Sequence, residues 1–357
     1  MMIAFAGFLI RVLLSYIFVY VVNHDTIGWA TVADYTLQLK NIYPFPAYEY
    51  HSFFPAFLYI DAFALWLQKT GLPFMFTIKL ICSIFDTGVI YLIYLLSKKN
   101  KKTAWFYALN PISLFVICVH GQFESIPIFF LLLGIYILKK KKIALSGLVL
   151  GLAVVFKTWP LLFTLPLIKR VWKGRFVLSI AAVPVFMVLL YIVLFNSRLI
   201  DIIHYALFYR GQTGNYGLGY ILKDLVSSTT ILRVFSNAFL VMLACFTLFN
   251  TRKDAIEEIF DQMLFFFILS PSMGIQWLMW MMPFLLLVGP RWHIFTVIAA
   301  SFYVGLVNMT WILPEKHFGI YDQIPVFGII AWLGFIMIAI YRKHGLKSRI
   351  LVSTRRI

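Results

Sequence analysis

Apolar runs of about 20 residues recur along this sequence, and each is long enough to cross a lipid bilayer as a helix. The first run, residues 3–22, is longer than the apolar core of a signal peptide, and no small-residue cleavage site follows it. The chain of 357 residues is 62% hydrophobic and 13% charged, whereas soluble domains contain about 25% charged residues. The sequence therefore predicts an all-α polytopic membrane protein.

Basic residues give the chain a formal net charge of +17, and they gather at the ends of the apolar runs. Examples are the cluster KKNKK at 98–102 and the cluster KKKK at 139–142. Such clusters mark cytoplasmic loops under the positive-inside rule rather than a surface for nucleic acid. We therefore expect no nucleic-acid partner, and we place both chain ends in the cytoplasm.

This orientation depends on two segments that do not cross the membrane fully. Residues 52–70 contain Pro55 and Asp61, which favour an interfacial or re-entrant helix over a span. Residues 143–168 lie between two basic clusters and are too short for two full spans. They predict a short hairpin hinged near FKTWP, where Pro160 interrupts helix hydrogen bonding.

The remaining apolar runs alternate across the membrane, and the hairpin brings the total to about 12 segments. The whole chain, 1–357, is then a single integral membrane domain. Its two largest loops, 23–72 and 196–231, lie outside the cell membrane, and the first carries juxtamembrane helices. The predicted spans are 3–22, 74–97, 103–119, 125–138, 176–195, 232–250, 256–270, 277–289, 293–312 and 326–341.

Ionisable residues within the apolar runs are functional candidates, because they are costly in a bilayer. Arg11 and Asp86 each lie midway along a predicted span, and we expect them to form a structural pair. Lys157 lies at the apex of the hairpin. Two interpretations of Lys157 stay open: it binds an anionic head group, or it pairs with an acidic residue of a loop.

The external turn HGQFES, residues 120–125, collects three hydrogen-bonding side chains, namely His120, Gln122 and Glu124. One interpretation is that these side chains line a substrate site. The alternative is that Glu124 and Ser125 cap the helix that follows.

The loop at 204–220 combines aromatic residues, four glycines and Arg210. Arginine binds phosphate oxygens through two parallel hydrogen bonds, and aromatic faces stack on sugar rings. The loop is thus an anion site built around Arg210 or, alternatively, a flexible loop with an exposed arginine. At a further external turn, 270–283, we expect Gln276 and Trp277 to point into one outer vestibule, a cavity open to the outside that the other external turns also line.

Asp34 follows the first apolar run and precedes a segment rich in aromatic residues and prolines. It is either a functional carboxylate at the outer membrane surface or the cap of a short helix beginning at Tyr35. The sequence contains no phosphate-binding glycine motif of nucleotide hydrolases, no zinc-protease motif and no paired cysteine motif. We therefore expect no cofactor, while a divalent metal is not excluded.

Four short motifs in chain order resemble those of the GT-C glycosyltransferases. ADYTLQ, with Asp34, resembles the motif GD(F/Y)xAQ of the first loop, and YHSFFPAFLYIDAF resembles its proline-rich continuation. HGQFES resembles the HFQYN-like turn, and YRGQTGNY, with Arg210, Gly211 and Asn215, resembles a later outer loop. The similarity extends over roughly 1–290. It is greatest to glycosyltransferase family 87 and to transferases that use dolichyl-phosphate glucose or mannose.

This resemblance implies the GT-C fold and an inverting hexosyl transfer on the extracytoplasmic face. The donor is a sugar on a polyprenyl or dolichyl monophosphate, and the acceptor is a lipid-linked or other glycan. Mannose is the first choice for the sugar, and glucose is the second. Asp34 would be the general base, and Arg210 and Lys157 would bind the donor phosphate. The residues expected to contact substrate are His120, Gln122, Glu124, Tyr209, Asn215, Gln276 and Trp277.

Two other functions are consistent with an outer vestibule lined by polar residues. A transporter or flippase for lipid-linked sugars would contain paired broken helices, and the sequence shows one broken hairpin without a counterpart. A scaffold protein without chemistry would contain few buried ionisable residues, in contrast to Arg11, Asp86 and Lys157.

Overall fold

The chain is all-helical, and no strand occurs among the residues that its computed structural model describes. Long apolar stretches form helices because the backbone hydrogen bonds are then satisfied within each segment. The all-α fold expected from the sequence is thus confirmed for this part of the chain. The described residues are 1–21, 23–44, 51, 53–208, 216, 218–219, 221–222, 229–271, 273–288, 294–312 and 324–354.

The described residues up to 208 form twelve α-helices. Three of them, α2 to α4, lie in the segment 23–72, where the sequence predicted short helices. The twelve are α1 Met2–Ile17, α2 His24–Ile27, α3 Trp29–Leu37, α4 Ala56–Gln68, α5 Phe74–Leu96, α6 Lys101–Ala108, α7 Pro111–Leu114, α8 Ser125–Lys139, α9 Ile143–Phe156, α10 Trp159–Val171, α11 Gly174–Phe195 and α12 Leu199–Phe208.

Five more helices follow in the described part of the chain beyond residue 228. The last continues well past the expected end of the span at residue 341. They are α13 Thr229–Phe249, α14 Ala255–Leu269, α15 Leu278–Val288, α16 Ile294–Ile312 and α17 Ile324–Thr354.

Among the described residues, three helices are long and apolar enough to cross a membrane, namely α5, α11 and residues 324–343 of α17. A fourth candidate is the pair formed by α6 and residues 111–119, which is bent by 42°. Shorter apolar helices, each of 10–17 residues, occupy most of the other predicted spans. The chain is therefore consistent with a membrane protein, while the number of spans and the orientation remain predictions.

The predicted break in the 143–168 hairpin lies where the sequence placed it. Helix α9 ends at Phe156, Lys157 is extended with φ −145° and ψ 147°, and α10 begins at Trp159 with Pro160 in its first turn. Proline is tolerated in the first turn because its missing N–H has no partner within the helix there. The break leaves the Lys157 side chain between two helices rather than along one.

The chain divides into two compact units, residues 1–210 with 311–313 and residues 211–310 with 314–357. In the first unit α9 packs against α8 and α11, α1 against α5, and α3 against α4. Glycine permits the close approach of α9 to α11. A Cβ atom at Gly151 would lie 2.6 Å from the carbonyl oxygen of Ile180, so a side chain there would push the helices apart.

Arg11 and Asp86 form the buried pair that the sequence predicted. Arg11 Nε lies 2.5 Å from Asp86 Oδ2, and both side chains are fully buried. Tyr107 donates a hydrogen bond to the other carboxylate oxygen, and the Arg11 guanidinium also donates to Ser113 Oγ. Two further Arg11 bonds go to the carbonyl oxygens of Gly7 and Ala108. This network links α1, α5, α6 and α7 and satisfies both charges, as a structural pair requires.

Cys82, Cys118 and Cys245 lie inside apolar runs of the sequence and have no metal-type spacing, which predicts core residues rather than disulfides or metal ligands. Cys82 and Cys118 are buried, which confirms this expectation for them. Cys245 is exposed on α13, so the expectation was wrong for that residue. All three are free thiols.

Candidate functional site

The turn at residues 120–124 is built on an unusual helix end. A π-helical turn at Phe115–Val119 precedes it, and the backbone N–H of Gln122 donates to the carbonyl oxygen of Val116. Gly121 has φ +81°, a conformation that favours glycine. A Cβ atom there would lie 2.8 Å from the terminal methyl group of Met75. The backbone conformation therefore favours glycine at this position, and a side chain there would also displace the end of Met75.

Lys157 pairs with Glu124 of this turn. The Nζ atom of Lys157 lies 2.5 Å from Glu124 Oε1, and the two side chains are 3% and 0% exposed. Lys157 also lies 3.5 Å from Oε1 of Gln122, and Nε2 of Gln122 lies 3.5 Å from Nε2 of His120. Of the two interpretations of Lys157, the structure thus agrees with the one in which Lys157 pairs with an acidic residue of a loop.

The same geometry excludes capping of α8 by the Glu124 side chain. Glu124 occupies the N-terminal cap position but makes no side-chain hydrogen bond to the helix backbone there. The Ser125 hydroxyl donates instead to the carbonyl oxygen of Cys82, at 2.8 Å. The interpretation of the turn as a helix cap was wrong, because the Glu124 carboxylate pairs with the ammonium group of Lys157 instead.

Aromatic rings enclose the ammonium group of Lys157. Its Nζ atom lies 4.3 Å from the ring centroid of Phe123 and 4.8 Å from that of Phe53. Cation–π attraction adds to the ion pair at such distances. Phe123 also stacks on Phe57 of α4, with centroids 3.6 Å apart, and Trp29 of α3 contacts both rings edge-on. The turn is thus packed against α3 and α4.

His51 and Asn23 complete this polar cluster from the first loop. Asn23 Nδ2 donates to the backbone oxygen of His120 at 2.7 Å. His51 is 1% exposed, and Nε2 of its ring lies 3.3 Å from the backbone oxygen of Phe54. Burial lowers the pKa of His51 to about 3, with a smaller opposing effect of the hydrogen bond to Phe54 and a further lowering by Lys157. His51 is therefore neutral at physiological pH.

Asp34 lies within α3, on the face opposite to the packed one. The buried residues of α3 are Trp29, Val32, Ala33 and Thr36, whereas Asp34 is exposed. Its Oδ2 atom accepts a hydrogen bond of 2.6 Å from Nε2 of Gln38. The interpretation of Asp34 as a helix cap was wrong, because α3 begins at Trp29 and not at Tyr35.

Gln276 and Trp277 lie in the second unit, in a 3₁₀ turn at Ile275–Trp277 that leads into α15. A Cβ atom at Gly274 would lie 2.9 Å from both Oε1 of Gln276 and Nε1 of Trp277. The polar ends of the two side chains therefore converge over Gly274. The Trp277 ring also stacks on Trp280, with centroids 4.9 Å apart.

Three of the predicted site residues, Tyr209, Arg210 and Asn215, lie outside the described residues. Within the described part of the chain, no group of three or more acidic, histidine or cysteine residues could hold a metal ion. Sequence reasoning missed Asn23, His51 and the aromatic pair Phe53 and Phe123. The mixture of aromatic residues and prolines at 41–55 was the available signal, but it does not indicate which ring faces Lys157.

The first unit contains an exposed carboxylate, that of Asp34, and a buried ion pair, that of Lys157 and Glu124, and the two can serve different chemical roles. Asp34 offers an accessible carboxylate, which can take a proton from an external hydroxyl group. Lys157 and Glu124 form an internally neutral pair, which positions the turn and retains a cation inside an aromatic enclosure. Trp29 connects them, since it belongs to the helix of Asp34 and packs on Phe123 of the turn.

Comparison with known proteins agrees with a transferase. GPI mannosyltransferase 1 of Kluyveromyces lactis is 35% identical to this chain over 69 residues. That segment covers 19% of this chain and 17% of the relative's length. The sequence model of Glycosyltransferase family 87 matches residues 41–271. This range includes the turn, Lys157 and Arg210 but begins after Asp34. Since this match covers more than half of the sequence, the chain belongs to Glycosyltransferase family 87.

Proposed function

We propose that this protein transfers a hexose from a polyprenyl-phosphate donor to a lipid-linked or other glycan acceptor. Mannose is the first choice for the hexose, and glucose is the second. The family supports a glycosyltransferase, and the name of the mannosyltransferase relative favours mannose. The donor lipid lies among the membrane helices, and the reaction takes place on the extracytoplasmic face. A phosphate leaving group needs neither a nucleotide nor a covalent enzyme intermediate.

Asp34 is the general base of this proposal. The acceptor oxygen attacks the anomeric carbon while the bond from that carbon to the phosphate oxygen breaks. The acceptor proton passes to the Asp34 carboxylate, and polyprenyl phosphate leaves with the bonding electrons. One carboxylate is sufficient for such a single-step inversion, provided that it lies within about 3 Å of the acceptor hydroxyl in the reacting complex.

The observation that carries this proposal is the placement of Asp34. Its carboxylate is exposed on a helix whose opposite face is packed, through Trp29, on the turn that holds Lys157. A carboxylate on such a rigid element keeps a defined position, as general-base catalysis requires. An exposed base is also compatible with an acceptor that arrives from outside.

The donor phosphate is assigned to Arg210 and Lys157. Positive charge at the phosphate stabilises the negative charge that develops on the leaving group. Because Lys157 is paired with Glu124 in this structure, phosphate binding there requires that Lys157 exchange or share its partner. His120, Gln122, Glu124, Tyr209, Asn215, Gln276 and Trp277 are proposed to contact the sugars.

The test is an assay of the purified protein with radiolabelled polyprenyl-phosphate mannose or glucose and candidate glycan acceptors. Formation of a labelled glycoside identifies a transferase, whereas movement of intact donor across vesicles identifies a flippase. We expect Asp34→Asn to lower turnover by roughly 10²- to 10⁴-fold, the usual contribution of a general base. Near-normal turnover of Asp34→Asn, with donor binding retained, would remove the proposed base.

A further inference from the structure

The hydrogen bond between Gln38 and Asp34 singles out one side chain beside the proposed base. Gln38 is the residue that follows the last turn of α3, four positions after Asp34, and both side chains are exposed. Nε2 of Gln38 donates to Oδ2 of Asp34 at 2.6 Å, which is at the short end for an N–H···O bond. Hydrogen bonds to charged acceptors are shorter and stronger than neutral ones.

This bond makes the two oxygens of the carboxylate unequal. Oδ2 is occupied by the Gln38 amide, whereas Oδ1 makes no hydrogen bond to the residues that the structure describes. A free aspartate side chain rotates among several orientations. A donor four residues away at the C-terminal cap of α3 restricts that rotation, because the backbone N–H of Gln38 also donates to the carbonyl oxygen of Asp34.

We propose that Gln38 is a positioning residue for the transfer reaction, which holds Oδ2 of Asp34 so that Oδ1 faces the acceptor hydroxyl. The inference rests on the proposed function, in which Asp34 is the base. A neutral amide suits this role, since it orients the carboxylate without adding a positive charge, which would lower the proton affinity of the base.

The chemistry of the side chain supports an amide specifically. A glutamate at this position has the same shape but offers no donor, and it adds a second negative charge on the next helical turn. A methionine has similar length and no donor. The series Gln, Met and Glu at position 38 therefore separates hydrogen bonding from shape and charge.

The experiment compares Gln38→Met and Gln38→Glu with the wild-type protein in the glycoside assay. We expect Gln38→Met to lower kcat by roughly tenfold, since small errors in the orientation of a reacting group are costly. Gln38→Glu should lower kcat further. KM for the acceptor and the thermal unfolding temperature should stay unchanged, because Gln38 is exposed and its side-chain hydrogen bond to Asp34 lies at the surface. Leu37→Ala, an exposed neighbour, is the matched control.

The same substitution in the Asp34→Asn background completes the test. If Gln38 acts through Asp34, Gln38→Met causes no further loss there, because residues that act as a unit are not additive. An equal loss in both backgrounds, or wild-type kcat in Gln38→Met, overturns the inference while Asp34 stays the base. Normal turnover of Asp34→Asn alone overturns the proposed function instead.

Discussion

The ammonium group of Lys157 lies 2.5 Å from the carboxylate of Glu124, although 33 positions separate the two residues in the chain. Both side chains are almost completely buried. Two charges removed from water in this way depend on each other, because either one alone would be unpaired in a medium of low dielectric constant. The pair therefore ties the break between α9 and α10 to the turn before α8.

Removal of one partner should destabilise the protein strongly. We expect Glu124→Gln to lower the free energy of unfolding by about 3–5 kcal/mol, because Lys157 is left buried without an anion. Thermal unfolding of the purified protein in detergent measures this effect. The double variant Lys157→Met with Glu124→Gln removes both charges and should regain part of the loss.

The exposed pair of Arg198 and Asp201 is the matched control. Arg198 is 76% exposed, and the pair spans one turn at the start of α12. Asp201→Asn should cost less than about 1 kcal/mol, since exposed ion pairs contribute little. Equal costs for Glu124→Gln and Asp201→Asn would contradict the interpretation of the buried pair.

Part of this architecture could be predicted from the sequence. The lengths of the apolar runs predicted the positions of most helices. Arg11 and Asp86, two isolated charges in apolar runs, were expected to pair because an unpaired charge is costly there. Pro160 located the break before α10. Each of these inferences depends on one strong local cost, that of an unsatisfied backbone group or of an unpaired charge.

The partners of Lys157 could not be predicted in this way. Several acidic residues were available, and only the three-dimensional packing of Phe53 and Phe123 selects Glu124. The extent of α3 was missed for a related reason. Its first turn carries no capping side chain that marks a start at Trp29, so Asp34 resembled a cap although it lies inside the helix.

Replacement of Asp61 should stabilise the protein. Asp61 lies on α4 with 0% exposure, and neither of its carboxyl oxygens has a hydrogen-bond partner among the described residues. A buried polar group without a partner costs about 1–3 kcal/mol. We expect Asp61→Ala to raise the free energy of unfolding by an amount on this order, helped by the better helix propensity of alanine.

The matched control for Asp61 is a buried aspartate that has partners. Asp86→Ala removes the acceptor of both Arg11 and Tyr107. It should destabilise the protein by several kcal/mol, because Arg11 is left as an unpaired charge. Thermal unfolding of the two variants should therefore shift in opposite directions, and a shared decrease would show that Asp61 has a structural partner.

Gly121 should not tolerate a side chain. Its φ of +81° lies in the left-handed region, where residues other than glycine cost about 1–2 kcal/mol. A Cβ atom at this position would also lie 2.8 Å from Met75 Cε and 3.1 Å from Lys79 Cε. We expect Gly121→Ala to lower the unfolding temperature and to reduce glycoside formation, because the turn that carries Gln122 and Glu124 is displaced.

Gly71 separates backbone strain from crowding in this prediction. It has φ +93°, but a Cβ atom there would meet nothing within 4 Å. Gly71→Ala should therefore show only the conformational cost. A larger loss of stability in Gly121→Ala measures the crowding against Met75 and Lys79, and an equal loss would show that these side chains move aside freely.

His51 should make the stability of the fold decrease at acid pH. Burial lowers its pKa from the ordinary value of 6.5 to about 3, so the unfolded chain binds a proton in this interval that the folded protein does not. Proton uptake on unfolding favours the unfolded state as pH decreases. The contribution of His51 is thus complete above pH 6.5 and is lost progressively as the pH falls toward 3.

The size of this effect follows from the same linkage. One proton taken up on unfolding reduces the free energy of unfolding by up to about 1.4 kcal/mol for each pH unit. His51→Phe retains a buried ring and removes the titration, so its unfolding temperature should decrease less than that of the wild type between pH 6.5 and 4. Parallel curves for the wild type and His51→Phe would show that the His51 ring becomes protonated in the folded protein as readily as in the unfolded chain.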